Sequence, residues 1–170
     1  MKKVLALSAL LVSASAAHAQ AGPWPVHTTD GSCSMRQTFT HPEFGSTTME
    51  VSYDASRQLV TLATTNSIDT TLPGSGSLDW LIVFLDNNGE KFDDAWGSRQ
   101  LSYTREGQAY RFTTSFSGER NVRQILADLS ASRSVGFMDK GKLVVAYDLG
   151  GVRNAVSRLS TCAQRAVASN

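Results

Sequence analysis

The chain contains few of the residues that most often carry chemistry. Its 170 residues include only two cysteines, three histidines and four prolines. No histidine or cysteine pair has zinc-ligand spacing, and Gly-x-Ser-x-Gly, Ser-x-x-Lys, P-loop and Gly-x-Gly-x-x-Gly patterns are missing from the sequence. We therefore expect a protein that is not an enzyme and that uses no cofactor.

Neither sign of charge is in excess. Sixteen Lys and Arg residues against fifteen Asp and Glu residues give a formal net charge of +1. This balance favours neither nucleic acid nor an anionic membrane surface as a partner. Beyond the first twenty or so residues there is no long apolar run, so we expect no transmembrane anchor in the mature chain.

The long apolar run of the sequence lies at its start. Residues 1–3 are Met-Lys-Lys, residues 4–16 are small and apolar, and residues 17–19 have the small-x-small pattern that signal peptidase cleaves. This arrangement predicts a secretory signal peptide over residues 1–19 and a single domain over residues 20–170. We therefore expect the mature protein to be periplasmic or secreted.

The two cysteines are expected to form a disulfide. An exported protein folds in an oxidising compartment, where paired cysteines persist as disulfides. Cys33 lies on the apolar face of a predicted strand, and Cys162 lies on the apolar face of a predicted C-terminal helix. A Cys33–Cys162 bond would link that helix to the first core strand, and two buried free thiols are the alternative.

Alternating polar and apolar residues predict most of the fold. Residues 33–40 and 48–53 alternate with a period of two, and residues 59–65 are rich in Leu, Val and Thr, which predicts an antiparallel meander. Apolar residues at helical spacing predict helices over 122–129 and 152–162. Further strands are predicted over residues 80–85, 101–104, 110–116, 135–138 and 143–147. We expect a mainly β protein, an antiparallel β-sandwich of about eight strands with two short α-helices and one disulfide.

An acidic turn follows the apolar strand that ends at residue 85. Asp86, Glu90, Asp93 and Asp94 form a candidate irregular calcium site. The spacing does not fit an EF-hand, because the first and last ligand positions would be Phe84 and Ala95. A hairpin turn with solvated acidic side chains is the favoured interpretation, and we predict no metal.

Catalysis would need polar residues that converge in one pocket. His27 follows Pro25 by two residues and His41 directly precedes Pro42, both in predicted loop or strand-end positions. Both are expected to be solvated surface residues. Asp93 and Asp94 are adjacent, so on a strand their side chains point to opposite faces and would not share a substrate. We assign no catalytic residue.

Two tryptophans and one loop are candidates for a binding surface. Trp24 and Trp96 lie in polar, turn-rich sequence, where an exposed indole can contact a partner. Ordinary core packing is the alternative for both rings. Residues 68–77 are predicted to be a loop, whose glycine-rich part is typical of a flexible connection. Its candidate binding residues are Leu72, Pro73, Gly74 and Ser75.

Both ends of the chain carry spacings of a known family. Trp24-x-Val26 and Cys33-x-Met35-x-Gln37 stand near the start, and a closing strand, glycine turn and helix stand near the end. The closing segment comprises residues 143–152, Ala155, Val156 and Leu159. These features, about a quarter of the chain, resemble the invasion-associated locus B family, which consists of exported proteins of alphaproteobacteria. The resemblance implies an exported β-sandwich with an association with host-cell invasion and supplies no catalytic residue.

Three functions are compatible with these observations. The first is an exported, non-enzymatic protein that binds another protein, either in the envelope or on a host. The second is an inhibitor of an extracytoplasmic enzyme, for example of the lysozyme type, in which the loop at residues 72–77 would enter the target. The third is an unrecognised hydrolase, which would require His27, His41, Asp93 or Asp94 to meet in a pocket.

Overall fold

The computed structural model of the protein describes residues 24–29, 32–41, 45–67, 72–86 and 96–168. These residues form nine strands and two helices. The strands are β1 (Val26–Thr29), β2 (Ser32–His41), β3 (Gly45–Asp54), β4 (Leu59–Asn66), β5 (Ser75–Leu85), β6 (Ser98–Glu106), β7 (Ala109–Ser117), β8 (Ser134–Asp139) and β9 (Lys142–Asp148). The helices are α1 (Glu119–Ala131) and α2 (Val152–Ala168).

All nine strands belong to one antiparallel sheet with the order β1-β2-β3-β4-β7-β6-β5-β8-β9. The predicted meander of β2, β3 and β4 is confirmed. The predicted separation into the two sheets of a sandwich is not confirmed, because the single sheet curls into a half-barrel. A sandwich and a curled sheet bury the same alternate residues of each strand, so alternation does not distinguish them.

The curl brings strands from opposite ends of the sheet together. The rings of Phe39 on β2 and Tyr147 on β9 lie 5.1 Å apart, although six strands separate β2 from β9 in the sheet order. Farther along the same inner face, Trp80 stacks on Phe112 with ring centroids 4.7 Å apart. The sheet therefore buries much of its inner face against itself.

The two helices cover the rest of the inner side. Helix α1 packs on β4 and β7, α2 packs on β1, β2 and β3, and the helices contact each other. Val122, Ile125 and Leu129 form the buried stripe of α1, as their spacing predicts. Gly118 has a φ of 86° at the start of α1, a left-handed conformation that glycine adopts without the steric cost of a Cβ.

The predicted disulfide is confirmed. Cys33 on β2 and Cys162 on α2 are bonded, with their Cα atoms 6.0 Å apart and a sequence separation of 129. The bond fixes the C-terminal helix to the second strand of the sheet. In the part of the chain that the structure describes, neither helix has the length and apolar character needed to cross a membrane.

Candidate interaction surface

The outer face of the sheet has a polar half. On β2, β3, β4 and β7 most outward side chains are serine or threonine. They include Ser34, Thr38, Thr48, Ser52, Thr61, Thr65, Thr113 and Ser115. A charged pair, Arg111 Nη2 and Glu50 Oε2 at 3.1 Å, crosses β4 on this face. This polar composition is typical of the solvent-exposed face of an antiparallel sheet.

The other half of the outer face has an apolar area where β5, β8 and β9 meet, bordered by the outward side chains of Asp79, Ser134 and Asp148. A Cβ on Gly136 would lie 3.0 Å from Leu143 Cδ1 and 3.2 Å from Val83 Cγ2, so these three residues meet on one face. Val83 is buried, whereas Leu143 is 60% exposed. We call this surface the Leu143 patch. It consists of Leu81, Val83, Leu85, Gly136, Met138 and Leu143.

A β-bulge places Leu143 on this face. Val145 and Tyr147 face the interior, and strict alternation would turn Leu143 inward as well. Phe137 pairs with Val145, but the next residue, Met138, pairs with Leu143, so β9 carries one extra residue. An extra residue reverses the facing of every side chain beyond it. The sequence predicts the strand at 143–147 correctly and contains no local signal for this reversal.

Trp24 does not contribute to an exposed surface. Its side chain is fully buried and packs on Phe39, with ring centroids 6.0 Å apart. Its carbonyl oxygen accepts a hydrogen bond from Arg158 Nη2 on α2 at 2.9 Å. The Trp24 ring therefore fills a gap between β2 and α2, because a large aromatic ring gains more from burial there than from facing water.

Trp96 is half-buried, and its polar atom is already used within the protein. Its indole Nε1 donates a hydrogen bond to Asp128 Oδ2 on α1 at 2.8 Å, and its ring packs edge-on against Phe116 at 4.7 Å. The guanidinium of Arg99 lies 5.2 Å from the Trp96 ring and 5.1 Å from the Phe116 ring. This arrangement fixes the segment before β6 to α1 and leaves little of Trp96 available to a partner.

The predicted loop at residues 68–77 is shorter than expected on its C-terminal side. Ser75 already belongs to β5 and pairs with Thr104 of β6. Gly76 and Ser77 also belong to β5 and pair with the next residues of β6. The carbonyl of Leu72 accepts a hydrogen bond from Tyr110 Oη, and the carbonyl of Gly74 accepts one from the Arg105 amide at 2.7 Å. Pro73 and Gly74 are exposed, but residues 72–77 do not form a free protruding loop.

The candidate metal residues are only partly within the described structure. Asp86 is described, whereas Glu90, Asp93 and Asp94 lie outside the described residues. Within the described ranges, no three His, Cys, Asp or Glu side chains form a group that could hold a metal ion. The calcium hypothesis therefore remains a prediction.

The two histidines of the hydrolase hypothesis do not meet. His27 on β1 pairs with Ser34 of β2, and His41 ends β2 seven residues beyond Ser34. At a rise of about 3.3 Å per residue this separation is roughly 23 Å along the strand. The aspartates of that hypothesis, at residues 93 and 94, lie outside the described residues.

Comparison of the chain with family models, with curated proteins and with solved structures finds no match. The similarity of the chain ends to the invasion-associated locus B family therefore remains a prediction.

Proposed function

We propose that this protein is an exported, non-enzymatic interaction protein that binds another protein through the Leu143 patch. The supporting observation is the 60% exposure of Leu143 beside half-buried Leu81 and Met138. Leu143 is the one exposed member of the patch, and its neighbours are half-buried or buried. Apolar side chains clustered at a protein surface commonly mark a contact surface, since leaving them in water costs free energy. A partner that covers the patch removes that cost.

The patch residues stand on paired strands rather than on a loop. Its side chains stand on β5, β8 and β9, which are joined by backbone hydrogen bonds through Val83–Gly136 and Leu81–Met138 pairings. A rigid surface loses little conformational entropy when it binds, so more of the contact energy appears as affinity. The absence of a side chain at Gly136 lets Leu143 lie close to Val83.

Export is part of the proposal. The Cys33–Cys162 disulfide supports it, because disulfides of this kind persist in oxidising compartments. The signal-peptide pattern of residues 1–19 supports it independently. The partner is therefore expected among proteins of the envelope or culture medium, or on a host surface.

The test compares two exposed hydrophobic residues on different faces. Leu143 on β9 and Val167 on α2 are the exposed large hydrophobic side chains among the described residues, at 60% and 45%. The mature protein carrying Leu143→Asp or Val167→Asp is crosslinked to envelope and medium fractions, and captured proteins are quantified by mass spectrometry. Leu143→Asp is expected to reduce capture of the partner about tenfold or more, which corresponds to about 1.4 kcal/mol.

A second version of the experiment localises the contact. A photocrosslinking residue at Ala146, which is exposed beside Gly136 on the outer face, should capture the partner. The same residue at Ser115, on the polar half, should not. Equal capture by wild type and Leu143→Asp, or crosslinking at Ser115 only, contradicts the proposed surface.

A further inference from the structure

The two cysteines of the disulfide lie in different surroundings. Cys33 on β2 is 0% exposed and belongs to the hydrophobic core. Cys162 on α2 is only partly buried, and its Sγ lies 3.2 Å from Oγ1 of Thr28, an exposed residue of β1. The bond therefore runs from the interior of the protein to a partly exposed position between β1 and α2.

The elements that carry the two cysteines explain this difference. Cys33 stands within the sheet, and its partners on the neighbouring strands are Thr28 of β1 and Tyr53 of β3. Helix α2 packs on the same three strands and covers them. Cys162 lies at the margin of the stripe that α2 buries, where a side chain keeps part of its surface in contact with water.

Thiol–disulfide exchange has different requirements for the two sulfurs of a bond. The attacking thiolate must reach one sulfur, and the other sulfur must leave as a thiolate. The leaving thiolate carries a full charge, so its departure is favoured in contact with water or a hydrogen-bond donor and disfavoured in an apolar interior. Fast exchange therefore needs an accessible sulfur on one cysteine and a solvated leaving sulfur on the other.

In this protein Cys162 is both the more accessible sulfur and the better leaving group. An attack on Cys162 Sγ expels the Cys33 thiolate into the core, where it is desolvated. An attack on Cys33 Sγ would release Cys162 beside the Thr28 hydroxyl, but the core side chains exclude the attacking thiolate from Cys33. Both directions of exchange are therefore slow, and access to the sulfur decides between them.

We propose that small thiols exchange with the folded protein only at Cys162 Sγ, and that Cys33 then restores the original bond. The small thiolate forms an S–S bond with Cys162 Sγ, the Sγ–Sγ bond breaks, and its electron pair leaves on Cys33 Sγ. The packing of α2 on β2 keeps the two cysteines close, as in the bonded state, where their Cα atoms are 6.0 Å apart. The Cys33 thiolate then attacks Cys162 Sγ, and the small thiolate departs.

This asymmetry makes the folded protein resistant to reduction by monothiols. The adduct on Cys162 is short-lived, because the thiolate that reverses it is held in the same molecule and reacts at a high effective concentration. A dithiol is different, since its second thiolate attacks the sulfur bonded to Cys162. That step forms a cyclic disulfide of the reagent and releases the Cys162 thiolate, so a dithiol should open the bond where a monothiol does not.

The first test locates the adduct in the wild-type mature protein. The folded protein is incubated with mercaptoethanol and quenched at early times with acid, which protonates thiolates and stops the exchange. Digestion with pepsin at low pH and mass spectrometry then identify the cysteine that carries the reagent. We expect the adduct on Cys162 in the folded protein and on both cysteines in urea. Equal adducts on the two cysteines of the folded protein, or an adduct mainly on Cys33, would overturn the proposal.

The second test measures the access to each sulfur in matched single variants. The Cys162 thiol of Cys33→Ala should react with dithiobis(nitrobenzoate) at least about a hundredfold faster than the Cys33 thiol of Cys162→Ala, because a buried thiol reacts only in transiently opened molecules. Sucrose, which favours the folded state, is added so that both variants stay folded without the bond. In urea the two thiols should react alike. Equal rates in the folded variants contradict the proposal, and neither test depends on the Leu143 patch.

Discussion

Tyr147 connects residues that are far apart in the sheet order. Its ring packs on Phe39 and Phe137, and its hydroxyl accepts a hydrogen bond from Asn66. Burial is the main cause that raises the pKa of Tyr147, and hydrogen bonds from Asn66, Thr64 and Thr47 act in the opposite direction. The native protein therefore holds the phenolic proton more tightly than the unfolded chain does.

This difference predicts a loss of stability at high pH. Below the unfolded pKa of about 10 the phenol is protonated in both states, and its contribution is fully present. Above that pH the unfolded chain releases the proton first, so the free energy of unfolding should fall as pH rises. Urea unfolding at a series of pH values on either side of 10 measures the slope, and Tyr147→Phe should make it shallower. An identical slope in the variant contradicts the prediction.

At the level of single elements, Trp96 joins the start of β6 to helix α1. Its indole N–H donates a hydrogen bond to the Asp128 carboxylate. Hydrogen bonds to charged groups typically contribute about 1.5–3 kcal/mol to folding stability. Trp96→Phe keeps an aromatic ring against Phe116 and removes the donor. We expect the free energy of unfolding to fall by about 1–2 kcal/mol in urea titrations.

The same variant separates two roles for Trp96. A residue that only fixes α1 should leave partner capture unchanged once the protein is folded. A residue that anchors a partner should lose capture even where Trp96→Phe is fully folded. We expect the first result, because the indole donor already has an internal acceptor. If the folded variant loses capture, the interaction surface includes Trp96 and the assignment to the Leu143 patch is wrong.

The positions of the elements follow from local patterns, but their arrangement does not. Alternation predicts β2 and β3, a run rich in Leu, Val and Thr predicts β4, and the spacing of Val122, Ile125 and Leu129 predicts α1. Strand β4 pairs with β7 rather than with β5. Local sequence patterns do not determine which of two distant strands becomes the neighbour. The bulge that exposes Leu143 is likewise a property of the β8–β9 pairing. The sequence therefore contains no signal for the candidate surface, whereas the expected compartment and the facing of the two cysteines predict the disulfide.

The disulfide acts on the molecule as a whole. It closes a loop of 129 residues between β2 and α2, which includes most of the sheet. In the chain-entropy account, a cross-link over so long a loop stabilises the fold by about 5 kcal/mol, because it restricts the unfolded chain. Native-state strain commonly reduces this value, so about 5 kcal/mol is an upper limit.

The double variant Cys33→Ala, Cys162→Ala should therefore lose several kcal/mol of unfolding free energy, up to about 5 kcal/mol. Urea titration measures the loss, and the reduced wild-type protein should show a similar one. Hydrogen exchange then distinguishes two causes of this loss: restriction of the unfolded chain, and local fixation of α2. If the bond restricts the unfolded chain, the double variant should lose protection equally in β4, β7 and α2. This applies to amides that exchange through global unfolding. If the bond only holds α2 in place, the loss is confined to α2 and the chain-entropy explanation fails.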